Sequence, residues 1–408
     1  MKKQQYLWQF IFGWMNFSLA VPSIYLMLGL PLIMRQYGWS GMEIGLFQLA
    51  ALPTLFKFLF AVPVQKIYFG QRSLILWLAA LTLPLMGLML WLSMHNLIQQ
   101  PKLLFIFAFG ISILLTWLDI PLNTLAVQFF SRTQQVNTGS IRSAALFLGA
   151  IVGGGIMVFI HHRFGWYLPF LIMVSFILMG LMPFLFFKLN TTYFKDSTER
   201  RISTSLSLLQ DWKGFFTQPS AKIWVGLLTC GFPFIGAVWL YLKPTLLDYG
   251  LSVSTVALTV GTLGGIAGAI SSLIAAKITK HLGAENALLL YLTISVFAIS
   301  FLIISFIFQL DSIFLIIAAI TIGIGMGGVS AVLFSLTLLF CRKDYTAIDY
   351  GLQTTIFTLS RIVVPILAGI LLDFYGHIPM FMTLLLAIIL TLFITWTIRH
   401  RLGFSEKI

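Results

Sequence analysis

Four ionisable side chains stand inside stretches that are otherwise apolar: Lys57 in PTLFKFLFAVP, Asp119 in LLTWLDIPLNTLAV, Arg142, and Arg361 in QTTIFTLSRIVVPILAG. Charge in a hydrocarbon setting is costly unless it faces a partner or a polar cavity, so each is a candidate for work on ions or solutes. Asp119 is a candidate proton carrier, or else the fixed partner of a neighbouring cation. Asn123 lies one turn on and shares its side of a helix, with Pro121 between them loosening the backbone ladder. Lys57, flanked by Pro53 and Pro63, can bind an anionic solute group or neutralise Asp119. Glu43 lies nearly on the same helical face, towards the outer end, and joins Asp119 as a candidate for charge coupling. Arg361 cannot shed its charge and must hold an anion, a carbonyl or water, which suits a fixed solute clamp. Arg142 is expected about one turn inside its helix, where reaching the headgroups is the simpler role. Tyr350 and Gln353 follow Asp349 in TAIDYGLQ and suit polar lining or an inner gate, with capping the alternative for Asp349.

Other chemistries find no residues. The six histidines fall in predicted loops or at span ends, and no metal or nucleophile constellation emerges. Cys230 and Cys341 lie in apolar contexts and read as two free thiols. No GxxxxGK[ST] phosphate loop is present, and Gly323 to Gly328 has no preceding strand, so it reads as helix packing. No acid cluster supports a metal–diphosphate transferase. Neither catalysis nor a cofactor is expected; any work draws on a gradient or on binding energy, a proton gradient being the expected source.

The elements that must position these residues follow from composition. Of 408 residues, 59% are hydrophobic and 9% charged. Apolar runs of about 20 residues match a helix crossing roughly 30 Å of hydrocarbon. They fall near 7–34, 42–66, 72–94, 103–130, 138–161 and 166–188, then 221–247, 252–278, 286–309, 312–340, 346–373 and 378–399. This is an all-α membrane protein of twelve transmembrane helices. Residues 1–189 and 220–408 form two six-helix halves joined by a linker, 190–219. A weak repeat, AVPVQKIYFGQR against AAKITKHLGAE, suits parallel duplication. Within the linker, Leu206, Leu209, Trp212, Phe215 and Phe216 have helical spacing, with Asp211 and Lys213 elsewhere on the wheel. A short interfacial helix over Ser205 to Phe216 is expected. With both termini inside, eighteen of the 25 basic residues fall on the inner side, and only Arg35, Lys102, Arg163 and Lys243 outside. The net charge of +13 is thus scattered over loops, and nucleic acid is not an expected partner.

The six-plus-six plan and the paired inner loops resemble the major facilitator superfamily over the whole chain. In the family's loop between helices two and three, Gln65-Lys66 here replace an Asp-Arg pair, while Gly70 and Arg72 are retained. MRQYGWSGMEIGLF, LPTLFKFLFAVPV and the Asp119 segment resemble the AmpG-like branch of muropeptide permeases, acetyl-CoA transporters and siderophore importers of the RhtX/FptX type. Lys57 matches its Lys-Phe-Leu motif; Asp119 matches the first Asp of its fourth-helix motif, and Asn123 stands at the second. CRKDYTAIDYGLQTT resembles the siderophore group. The resemblance implies a symporter of the bacterial cytoplasmic (inner) membrane, working by alternating access as a monomer in the bilayer. Helices 1, 4, 7 and 10 would line the cavity, with 2, 5, 8 and 11 beside them. Proton-coupled import of a siderophore or ferric siderophore is the expected function, and a permease for muropeptides or another acidic metabolite the alternative. Asp119 and Glu43 would couple charge. Lys57, Asn123, Arg361, Gln353, Tyr350 and Arg142 would contact a small, anionic solute.

Overall fold

The computed structural model describes residues 2–67, 72–186 and 208–402. Among these there is no strand, and twelve helices are long and apolar enough to cross a membrane. We label them α1 (Gln4–Gln36), α2 (Gly41–Lys66), α3 (Ser73–Met94), α4 (Pro101–Phe129), α5 (Arg132–Phe164) and α6 (Tyr167–Phe186), then α7 (Ala221–Asp248), α8 (Val253–Leu282), α9 (Ala284–Ile307), α10 (Ser312–Leu339), α11 (Lys343–Tyr375) and α12 (His377–Arg399). Gly70, the last residues expected in the sixth span (187–188) and residues 190–207 of the expected linker lie outside the described residues.

Most predicted spans fall within about three residues of these limits, the end of α8 within four. The exception is the start of α5. Its polar opening RTQQVNTGS reads as loop by hydropathy but is helical from Arg132, because Gln135, Thr138, Ser140 and Ser143 are buried by packing. Arg142 therefore lies ten residues inside its helix rather than one turn.

Several spans are irregular. In α2, Leu49–Phe56 tighten into a 3-10 turn around Pro53, which has no N–H to give the ladder. Wider π turns occupy Tyr25–Gly29 in α1, Val152–Ile156 in α5 and Ala257–Leu263 in α8.

The chain packs as two units. The first comprises Met1–Ser131, Leu148–Lys213 and Cys341–Thr355, and so takes in the start of α11. Its core is aromatic: Phe12 meets Phe129, Phe130 and Phe184 at ring separations of 5.0–6.3 Å. His161, expected at a span end, is buried here and shares a 2.8 Å hydrogen bond with the Tyr25 hydroxyl. The second unit comprises Arg132–Phe147, Gly214–Phe340 and Ile356–Ile408. There α8 and α10 pack backbone to backbone, a Cβ at Gly323 or Gly327 running into the Gly264 or Gly268 carbonyl. The start of α5 joins them through Ala144 and Phe147 against Ala269 and Met326.

The linker helix covers Leu208–Phe216. Its buried side is not the expected apolar stripe: Phe215 and Asp211 are buried while Leu209 is exposed. The Asp211 backbone carbonyl accepts from the Arg342 guanidinium at 2.9 Å. Both cysteines are free thiols.

Candidate coupling and anion sites

Lys57 is the first regular helical residue after the 3-10 turn of α2. Its Nζ lies 2.6 Å from Asp119 Oδ2, with both side chains largely buried. The same carboxylate oxygen accepts from the Tyr350 hydroxyl at 2.7 Å. Oδ1 accepts from Asn123 Nδ2 at 2.9 Å, which also reaches the Asp119 carbonyl one turn back. Asp119 thus collects an ammonium, a phenol and an amide. Four residues singled out in the sequence, from α2, α4 and α11, meet at one carboxylate within the first unit.

The start of α11 is held on α2 by more than Tyr350. Gly351 lies so close that a Cβ there would sit 2.7 Å from the Ala61 Cβ and 3.2 Å from the Lys57 carbonyl oxygen. The Phe58 N–H donates to Thr355 Oγ1 at 3.2 Å. Gln65 donates to the Asp344 carbonyl at 2.7 Å and accepts from the Ala347 N–H at 3.1 Å. In the sequence Gln65 is visible only as a departure from the family's Asp-Arg pair. In the structure it ties the end of α2 to the first turn of α11.

Asp349 and Gln353 serve the turn before α11. Asp349 accepts from the Arg342 backbone N–H at 2.9 Å and from its guanidinium at 2.8 and 2.6 Å, which pins the residue just before α11. Gln353 donates to Cys341 Sγ and to the Asp349 carbonyl. Burial would pull the Arg342 guanidinium down, but its bonds to Asp349 outweigh this and push it up. Burial, with the Asp349 carboxylate adding to it, pushes the Cys341 thiol well above its ordinary range.

Glu43 is not part of this cluster. Ser40 and Glu43 form a capping box at the start of α2: the carboxylate accepts from the Ser40 N–H at 2.8 Å and the Glu43 N–H donates to Ser40 Oγ at 3.2 Å.

The two arginines belong to the second unit. Arg142 is buried with its guanidinium 4.7 Å from the Phe334 ring centre, which corrects the expectation that it reaches the headgroups. Next to it, Ser143 bonds to Ser272 and Ser330. Arg361 lies midway along α11 and is exposed, its guanidinium 5.6 Å from the ring centres of both Phe232 and Phe357. Among the described residues no carboxylate is within ion-pair distance of Arg361. The two phenylalanines that seat it carry no mark in the sequence beyond being apolar. No group of three or more potential metal ligands occurs among the described residues.

The family model for the Major Facilitator Superfamily matches residues 8–365. The chain belongs to the major facilitator superfamily: it is a multi-pass membrane transporter, not an enzyme. Among solved structures it is similar to a variant of the E. coli fucose:proton symporter FucP, at 15% identity and a TM-score of 0.71 over 97% of this chain and 99% of that one. FucP in an outward conformation matches at 14% identity and a TM-score of 0.70, covering 96% and 98%. The proton:xylose symporter XylE matches at 10% identity and a TM-score of 0.72, covering 95% and 94%. At these identities the likeness is one of fold.

Proposed function

We propose that this transporter is a proton-coupled importer of an anionic solute, with Asp119 as the coupling group and Arg361 as the anion clamp. The observation that carries the coupling role is the crowding of three donors on one carboxylate. A proton arriving on Oδ2 displaces the Tyr350 hydroxyl bond and cancels the charge that Lys57 neutralises. One proton thus frees a cation and releases one of the bonds that hold the start of α11. The anion role rests on Arg361, a permanent charge in mid-span with aromatic neighbours and, among the described residues, no carboxylate within ion-pair distance. Such a charge is stable only beside water or an anionic ligand.

In the finer form of this proposal the solute is a siderophore or ferric siderophore, bound by a monomer of the inner membrane with its termini inside. The resemblance of CRKDYTAIDYGLQTT to siderophore importers supports the solute, and the bias of basic residues supports the orientation. The test is uptake of radiolabelled iron–siderophore by cells with and without the gene, with and without a protonophore. Gene-dependent uptake that collapses with the protonophore and in Asp119→Asn is expected. Gene-independent uptake across a siderophore panel overturns the solute, and labelled muropeptides are then the panel to run. Gene-dependent uptake indifferent to the protonophore overturns the coupling.

A further inference from the structure

α7 and α12 enclose a groove of about 450 Å³ within the second unit, walled mainly by apolar side chains. α7 contributes Ile223, Gly226 and Phe234 to the wall, and α12, which runs the other way, contributes Ala387, Ile394 and Ile398. From Ile223 to Phe234 the groove follows eleven residues of helix, roughly 16 Å at 1.5 Å per residue. That is about half of the ~30 Å hydrocarbon core, the depth of one leaflet.

The end of the groove at Ile223 and Ile398 is basic. Lys222 directly precedes Ile223 and is exposed, and Arg399 directly follows Ile398, its guanidinium 5.8 Å from the Trp396 ring centre. His400 and Arg401 continue the chain beyond it. No carboxylate lies within ion-pair distance of Lys222 among the described residues. Lys222 and Arg399 each adjoin in sequence a residue that walls this end, so an apolar groove one leaflet deep has cations beside its end, which suits a single lipid.

We infer that this groove binds one anionic phospholipid, an acyl chain lying between α7 and α12 and the headgroup phosphate at Lys222 and Arg399. The apolar wall supplies affinity without selectivity, because lipid chains are as apolar as the helices they would leave. The two cations supply the selection, favouring an anionic over a zwitterionic headgroup.

Native mass spectrometry of the delipidated full chain in detergent tests this, with phosphatidylglycerol and phosphatidylethanolamine as probes. One phosphatidylglycerol is expected to be retained in preference to phosphatidylethanolamine. The Lys222→Gln/Arg399→Gln pair should weaken it on the order of thirtyfold, about 1 kcal/mol for each charge. Gly226→Leu should abolish retention while leaving both cations. A Cβ at Gly226 meets open space, so this variant fills the groove without disturbing the packing. Cys230 also lines the groove, and added phosphatidylglycerol should slow its reaction with an apolar maleimide; Cys341, which does not line the groove, is the internal control. Equal retention of the two lipids overturns the proposal. So does a preference that survives Gly226→Leu, which would mean a headgroup held at the surface alone. A dimer peak that Gly226→Leu removes also overturns it, assigning the groove to a second copy of the chain.

Discussion

Lys57 and Arg361 are both cations in apolar spans, and the two units treat them in opposite ways. Lys57 is answered from within: Asp119 sits 2.6 Å away, and Tyr350 and Asn123 complete the carboxylate. Arg361 has two phenylalanine rings and, among the described residues, no carboxylate within ion-pair distance. A neutralised cation costs the fold little while its partner stays ionised, and a great deal once that partner changes state. A cation left open carries its cost permanently and relieves it when an anion arrives. The first arrangement suits a switch, the second a binding site.

The largest expected effect comes from breaking the switch. Lys57→Ala or Asp119→Ala alone leaves one largely buried charge unpaired, a loss of about 3–5 kcal/mol. The double variant should recover most of that stability, since removing both charges removes the mismatch, yet it should show no gradient-driven uptake. Thermal unfolding in detergent, run beside uptake, separates the two outcomes. If the double variant is no more stable than either single one, the pair is not the unit described here.

Arg361 should give the reverse pattern. Arg361→Gln removes a charge without orphaning another, so stability should change by less than about 1 kcal/mol. Uptake should fall about ten- to hundredfold, the worth of a charged hydrogen bond of ~1.5–3 kcal/mol to the solute. Arg361→Lys keeps the charge but loses the planar face over Phe232 and Phe357, and should lie between wild type and Gln. If Arg361→Gln unfolds as readily as Lys57→Ala, the contrast between the two cations fails.

A smaller effect is expected at Tyr350, whose hydroxyl makes one bond to the shared oxygen. Tyr350→Phe keeps the buried ring and removes one donor from a charged acceptor, a loss of about 1.5–3 kcal/mol. Uptake should suffer more than solute binding if the hydroxyl reports the state of Asp119, and equilibrium binding beside transport rate measures the difference.

How much of this was legible beforehand depends on the kind of signal. Span number and position were legible because hydropathy over about 20 residues is a strong, local signal. The start of α5 was not, because Gln135, Thr138 and Ser143 owe their burial to neighbours far along the chain. Asp119, Lys57, Tyr350 and Asn123 stood out singly as polar groups in costly places. Neutralisation of Asp119 by Lys57 was one of two roles open in the sequence, while the Tyr350 bond spans 231 residues and leaves no local pattern. Glu43 misled for a local reason: Ser40-Gly-Met-Glu43 is a capping box, and its short-range bonds outrank helical alignment with a residue fourteen positions on.

The finest test concerns Gln65, where an amide stands in place of the family's acid. Its two bonds to the first turn of α11 are half-exposed and worth about 0.5–1.5 kcal/mol each, so Gln65→Ala should lose about 1–3 kcal/mol. Gln65→Glu keeps the acceptor for the Ala347 N–H and places a negative charge at a helix start, a gain of about 0.3–1 kcal/mol. It loses the donor to the Asp344 carbonyl, so the two changes should nearly cancel. Cys341 offers a second readout of the same turn. Burial and Asp349 hold its thiol above the ordinary range, so the thiolate that reacts with alkylating agents is scarce at pH 8. Alkylation of Cys341, followed by peptide mass spectrometry, should accelerate in Gln65→Ala and stay slow in Gln65→Glu. If Gln65→Ala changes neither melting nor alkylation, Arg342 and Asp349 hold the turn alone, and the exchange of acid for amide has no consequence for the start of α11.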